Sequence, residues 1–292
     1  MTGSLVLVAT PIGNLGDLSS RAVEVLTDAD AIACEDTRHT RKLLSAAGIL
    51  GKRLLAVHQH NEAAAADGIV ALLARGDTVA LVTDAGTPAI SDPGARVVVA
   101  VVAAGFEVTC VPGPAALIVA LAVSGLPTER FVFEGFLPRS GKERTQRLAE
   151  IAAERRTVVL YEAPNRVLRT LTDLAGSAGS TRRCSISREL TKRFEETWRG
   201  TVGDAVVRTQ NIEPRGEYVI VLEGQVSVPT AADDNTVRQL LDAARASGLR
   251  TRDAVDEVSR STGRVRREVY AIATTPVNRS QLTDHGTDLA AL

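Results

Sequence analysis

Residues 5–10, LVLVAT, form a compact apolar run closed by Pro11 and Gly13. An unbroken apolar run of this length is the pattern of a strand buried on both faces of a parallel sheet. Ser19 can then cap the segment RAVEVLTDA, whose Ala22, Val23 and Leu26 recur at helical spacing, and residues 31–35 read as a second strand. The alternation continues with strands at 53–57, 78–83 and 107–111 and helices at 63–75 and 95–104. Five strands with interleaved helices predict a doubly wound α/β sheet. Pro112, Gly113 and Pro114 break the chain before an apolar helix at 115–124, and Gly125, Leu126 and Pro127 mark the end of this lobe.

A second series predicts strands at 131–135, 157–161, 183–188, 194–199 and 218–223, with helices at 142–154 and 166–175. The last three strands read without helices between them, which predicts a mixed sheet with antiparallel pairs. The polar stretch GQVSVPTAADDNT reads as a linker. Three short helical patterns follow at 237–247, 251–261 and 264–274, with Gly248 and Gly263 at the turns, as in a helix-turn-helix unit. The expected organisation is therefore an N-terminal α/β lobe (1–126), a C-terminal α/β lobe (127–228), and a linker with a small helical domain (229–292).

Aromatic residues are only 3% of the chain, so the core must be built from Ala, Val, Leu and Ile. The net charge of −1 gives the whole molecule no pull on a polyanion, so any basic surface must be local. Residues 137–200 carry 14 Lys or Arg against 8 Asp or Glu, and residues 237–279 carry 9 Arg against 5 acids. Both segments read either as solvated helix faces or as places where a phosphate backbone is met. Cys34, Cys110 and Cys184 are odd in number and dispersed, so neither a disulfide framework nor a metal site is expected. The N-terminus lacks a basic region before its short apolar run, and no apolar stretch reaches the roughly 20 residues of a membrane span. A cytoplasmic protein with no membrane or DNA partner is expected.

In an open α/β sheet, ligands bind beyond the carboxyl ends of the strands. The loops there read TPIGNLGD, EDTRHTRK, DAGTPAISDPG, PGPAA, EGFLPR and EAPNRV. The first carries Gly13 and Gly16 but neither GxGxxG nor GxxxxGK[ST], which disfavours a nucleotide di- or triphosphate. A Gly/Pro-lined pocket that grips its ligand through the backbone suits S-adenosylmethionine, which has no phosphate. The turn from Asp84 to Gly94 fits such a pocket, although alone it is equally a tight connection. Glu35, Asp36, Glu162 and Glu189 fall at or just past strand ends, each either a proton acceptor or the partner of an arginine such as Arg38, Arg166 or Arg188. His39 reads as a base by type or as a solvated loop residue.

Taken in order, LVATPIGNLGD, CEDTRHTRKLL, LVTDAGTPAISDPG, VPGPAA, FEGFLPR, YEAPNRV and RELTKRFEETWRG resemble the ribosomal RNA small subunit methyltransferase I family of the tetrapyrrole methylase superfamily. The resemblance runs from about residue 5 to 223, and the helical tail is similar to the family's small C-terminal domain. It implies a two-lobed class III methyltransferase, a homodimer, that uses S-adenosylmethionine to 2'-O-methylate a cytidine in the decoding centre of 16S ribosomal RNA. It places cofactor contacts on Pro11, Asp84, Ala85, Gly86, Ile90, Ser91, Ala115, Ala116, Gly135, Tyr161, Glu162 and Ala163. The candidate catalytic set is Glu35, Asp36, Arg38, Glu162, Arg166 and Glu189. Ala115 departs from the family's serine after PGP, and Ala163 and Asn165 replace its usual serine and histidine. Two other readings are a methylase of the same fold acting on a macrocycle or a protein side chain, and a non-catalytic RNA-binding assembly factor.

Overall fold

A computed structural model describes residues 3–225 and 232–275. The chain divides into two compact units, Met1–Gln225 and Val226–Leu292. Residues 226–231, within the expected linker, and residues 276–292, which include Arg279, lie outside the described residues.

The first unit opens with strand β1 (Ser4–Val8), followed by helix α1 (Ser20–Asp28), β2 (Ala31–Cys34), α2 (Thr37–Ala46), β3 (Leu54–Ala56), α3 (Glu62–Ala74), β4 (Thr78–Leu81), α4 (Ala95–Ala103) and β5 (Glu107–Val111). Ser19 caps α1 as its position suggests: its Oγ accepts from Ala22 N–H at 3.1 Å. All five strands are parallel, in the order β3-β2-β4-β1-β5. Successive side chains point to opposite faces. Ala31 and Ala33 of β2 join Ile69, Leu73, Val97 and Val101 of α3 and α4, whereas Ile32 and Cys34 join Leu26 and Leu44 of α1 and α2. Helices α1 and α4, which follow the adjacent strands β1 and β4, thus cover opposite faces. Their loops diverge and open a crevice at the carboxyl edge of the sheet.

Helix α2 was not expected: its segment TRHTRKLLSA reads as a charged loop. Only Thr40 and Leu44 of it are buried, and Asp36 supplies the cap that its sparse apolar face does not advertise. Helix α4 begins at Gly94, which has no side chain to cap it. Glu62, at the start of α3, does so instead, its Oε1 accepting from both Gly94 N–H and Arg96 N–H at 2.8 Å. A buried carboxylate at a helix N-terminus satisfies orphan donors and complements the helix dipole. Glu62→Ala should cost about 1–3 kcal/mol, read as a lower urea midpoint, since one buried and one part-buried donor lose their acceptor. An unchanged midpoint would show that the donors find another partner.

Helix α5 (Ala116–Val123), which the sequence places at the end of the N-terminal lobe, packs on the second sheet, and the chain continues with β6 (Phe131–Phe136), α6 (Gly141–Ala153), β7 (Thr157–Glu162), α7 (Val167–Ala178), β8 (Arg183–Arg188), β9 (Glu196–Thr201), α8 (Val202–Gln210) and β10 (Tyr218–Leu222). The second sheet runs β6-β7-β10-β8-β9, with β6 parallel to β7 and the other pairs antiparallel, so it is mixed as expected. Helix α8, between β9 and β10, corrects the expectation that the last strands follow without helices. A reciprocal capping box between Thr201 and Asp204 starts it. Helices α6, α7 and α8 cover one face of the sheet, and α5 covers the other together with Ile12 from the loop after β1. That shared cluster of Ile12, Leu117, Leu121, Val159, Val219 and Val221 joins the two lobes.

The second unit holds α9 (Asp234–Ala246), α10 (Thr251–Thr262) and α11 (Arg266–Thr274) around Val237, Leu241, Val255, Val258 and Val269. Gly263 ends α10 in the left-handed conformation that the turn requires. No helix among the described residues is long and apolar enough to cross a membrane.

Candidate functional site

The loops at the carboxyl edge are tied to one another before any ligand is considered. Thr10 and Gly86 exchange backbone hydrogen bonds (2.9 and 3.0 Å), and Thr87 Oγ1 donates to the carbonyl of Pro114 (3.2 Å). Gly86 has φ of 88°, a conformation that favours glycine at this turn. Ala89 and Ser91 are non-glycine residues with positive φ, 69° and 61°. Backbone strain of this kind concentrates at ligand-clamping loops.

Beneath these loops lies a cavity of about 340 Å³, at the small end of ligand pockets. The N-terminal lobe lines it with Ile12, Ala85, Gly86, Thr87, Ile90, Ser91 and Asp92. The C-terminal side supplies Ala115, Ala116, Leu117, Phe136, Tyr161, Glu162, Ala163, Pro164, Glu217, Tyr218 and Val219. Nine of the twelve expected cofactor residues are among these: Ala85, Gly86, Ile90, Ser91, Ala115, Ala116, Tyr161, Glu162 and Ala163. Pro11 and Asp84 line an adjacent cavity of about 260 Å³. Gly135 lies at a register shift in β6, and a Cβ there would be 3.2 Å from Ser91 Oγ. The absence of a serine at Ala115 is partly made good by Tyr161, whose hydroxyl accepts from Leu117 N–H (3.1 Å) in the first turn of α5. Phe133 and Phe136 meet the Tyr161 ring edge to face, with centroids 4.9 and 5.7 Å away.

The expected catalytic residues are dispersed. Glu35, Asp36, Arg38, Arg166 and Glu189 line neither cavity. Asp36 caps α2 and pairs with Arg38 at 2.9 Å, and that guanidinium holds its carboxyl well below the usual range. So weak a proton affinity makes Asp36 a poor base. Burial, and then the charges of Asp84 and Asp36, push Glu35 up. Glu162 lines the first cavity, but its carboxylate accepts from Thr170 Oγ1 (2.6 Å), Ala163 N–H (2.9 Å) and Arg166 Nε (3.1 Å). Glu189, also at positive φ (51°), accepts from Lys192 Nζ (3.0 Å) and Glu217 N–H (3.1 Å). Burial works against its ionisation, but these donors prevail and lower its pKa.

Among the charged residues at the cavities, Asp92, Glu217, Lys42 and Lys192 lie outside the set to which the sequence points. Asp92, inside the DAGTPAISDPG turn, is raised to about 6, first by burial, with the Thr83 hydroxyl opposing and the charges of Glu35, Asp84 and Glu217 adding to it. Glu217 and Lys192 pair at 3.1 Å. Glu217 precedes a strand, whereas the ligand loops of an open α/β sheet follow its strands. Because β10 is antiparallel to β7 and β8, its amino end lies at the edge where β6, β7 and β8 have their carboxyl ends. Lys192 stands in a quoted motif, but its seat beside Gly13 depends on tertiary packing.

Residues 4–206 match the tetrapyrrole (corrin/porphyrin) methylases. Ribosomal RNA small subunit methyltransferase I of Synechocystis sp. is 45% identical over 273 residues, covering 93% of this chain and 97% of the relative. The protein of the same name from Xylella fastidiosa is 52% identical over 224 residues, covering 76% of this chain and 82% of the relative. The structure of Thermus thermophilus uroporphyrin-III C-methyltransferase complexed with S-adenosyl homocysteine superposes with a TM-score of 0.53 at 16% identity, covering 75% of this chain and 96% of that one. The two-lobed fold is therefore that of the tetrapyrrole methylases, and the chain belongs to the ribosomal RNA small subunit methyltransferase I family.

Proposed function

We propose that this protein transfers a methyl group from S-adenosylmethionine to the 2'-hydroxyl of a cytidine in small-subunit ribosomal RNA. The observation that carries the reading is the first cavity: apolar and aromatic walls, close backbone, no phosphate loop, and charged side chains that are all acidic, Asp92, Glu162 and Glu217. An acidic, half-enclosed pocket suits a cationic ligand. S-adenosylmethionine, when bound, supplies a methyl group made electrophilic by a positive sulfonium. Ala85, Gly86, Ile90, Ala115, Ala116, Tyr161 and Ala163 would hold it, with Phe136 and Tyr161 offering rings to its adenine. The chain's own contribution is alignment in a partly dry cleft, an effect worth roughly 7–11 kcal/mol when complete.

RNA recognition is supported by the basic segments. In the helical unit, Arg250, Arg252 and Arg267 are exposed and form no ion pair among the described residues. Arg250 occupies the N-cap position of α10, Arg252 lies in its first turn and Arg267 in the first turn of α11. Cations at helix amino ends oppose the dipole and are poor for stability, which fits a role in meeting an anion. The test is transfer of labelled methyl to unmodified small ribosomal subunits and to free ribosomal RNA, followed by mapping of the modified nucleotide. Label on a 2'-oxygen of one cytidine is expected. A protein that labels no RNA overturns the reading.

The raised Asp92 gives a pH dependence. Asp92 is neutral below about 6 and charged above it, so the preference for S-adenosylmethionine over uncharged-sulfur S-adenosylhomocysteine should rise as pH passes upward through about 6. Calorimetry with both ligands between pH 5 and 8 reads this, and Asp92→Asn should flatten the curve. Stability of the free protein runs the other way. The advantage of a neutral buried Asp92 is complete below its unfolded pKa near 3.8 and is lost as pH rises through about 6.

A further inference from the structure

The two cavities share Ile12, Ala85 and Glu217 as a common wall, but their charges differ. Charged residues of the first are all acidic, whereas the second has Lys42, Lys192 and the titratable His39 beside Asp84 and Glu217. Resting on the function proposed above, we infer that the second cavity receives the acceptor nucleotide, extruded from the RNA, with Lys42 and Lys192 supplying charge for its flanking phosphates. Enzymes that act on one nucleotide commonly draw it out of the stack into a pocket, and lysines position the backbone around it.

Lys192 is built into this place. Its stem crosses the loop after β1, where a Cβ on Gly13 would lie only 2.3 Å from Lys192 Cγ. Its Nζ donates to Glu189 Oε1 (3.0 Å) and Glu217 Oε2 (3.1 Å). Burial favours the neutral amine, but the two carboxylates prevail and keep it charged. The flanking Glu189 and Thr191 both have positive φ, 51° and 65°, so the backbone is held in an uncommon conformation on the approach to this cation. A cation of the C-terminal lobe is thereby fixed in a cavity otherwise formed mainly by the N-terminal lobe. Glu217, on the shared wall, lies where an acceptor hydroxyl in one cavity would meet a methyl donor in the other.

The test uses the full chain and unmethylated small ribosomal subunits. Lys192→Met retains the stem over Gly13 without its charge, and Lys42→Glu reverses an exposed charge on α2. Each should raise KM for subunits by roughly tenfold at physiological salt and lower the salt slope of binding by about 1, as expected when one phosphate is no longer neutralised. Calorimetric affinity for S-adenosylmethionine should stay within about twofold in Lys42→Glu, because Lys42 neither lines the first cavity nor pairs with a residue that does. Lys192→Arg should recover most of the KM. Arg75→Glu, at the opposite edge of the sheet and in a surface pair with Asp77, controls for net charge. Subunits carrying 4-thiouridine should photo-cross-link to peptides spanning 37–43 or 189–194. Unchanged KM in both lysine variants, lost cofactor affinity in Lys42→Glu, or cross-links confined to other peptides would overturn the acceptor pocket and leave the proposed function standing. A parent protein that labels no RNA would overturn both.

Discussion

Glu162→Ala is expected to lower Tm by about 6–12 °C, from a loss of about 3 kcal/mol in a unit of this size. Glu162 is nearly inaccessible, and its carboxylate ends a buried chain. Arg144 donates to Thr170 Oγ1 (3.0 Å) and to Asp173 (2.7 Å), and Thr170 donates onward to Glu162. Arg166 closes the other side. Removing the carboxylate leaves a guanidinium and a hydroxyl without their acceptor, and an uncompensated buried group costs more than the intact pair contributes. The chain also holds the turn after β7, which carries Ala163 to the first cavity. Glu162→Gln keeps the shape and some of the hydrogen bonds, so it should lose less stability and retain methyl transfer below its melting range. Complete loss of transfer in a well-folded Glu162→Gln protein would instead assign Glu162 to proton removal.

Deleting residues 226–292 should weaken binding to small ribosomal subunits by roughly tenfold or more. It should also reduce the salt slope by about 2–4, at roughly 0.7–0.9 for each phosphate that is no longer neutralised. The remaining unit keeps both sheets and every residue of the first cavity, so S-adenosylmethionine affinity should be unchanged. Arg264 and Arg266 are ion-paired to Asp234 and Asp256, whereas Arg250, Arg252, Arg260 and Arg267 are exposed and form no ion pair among the described residues. The contribution should therefore fall on these four arginines. Filter binding from low to physiological salt measures the slope, and an unchanged slope and activity would remove the helical unit from RNA recognition.

Glu162 and the helical unit both show how far local pattern carries. The Gly/Pro turn at Asp84–Gly94 is legible because glycine and proline constrain the backbone wherever they stand, and the turn does line the first cavity. Glu162 is equally visible, but the donors that occupy its carboxylate come from Thr170 and Arg166 on the next helix and at its start. A strand-end carboxylate looks the same in sequence whether it is free or engaged.

The apolar runs, the Ser19 cap and the glycine punctuation determined by themselves that the chain forms one parallel and one mixed α/β sheet followed by three helices, because burial and capping act over a few residues. Helices α2 and α8 escaped that reading. Each exposes most of its surface and depends on a cap, Asp36 or the Thr201–Asp204 pair, more than on an apolar stripe. Only tertiary structure decided which charged groups reach the cavities. The reversal of β10 brings Glu217 to the ligand edge, the turn after β8 carries Lys192 across Gly13, and burial, with neighbouring carboxylates adding to it, raises Asp92 to about 6. Strand direction, close approach and desolvation depend on residues far apart in the chain, so no local pattern encodes them.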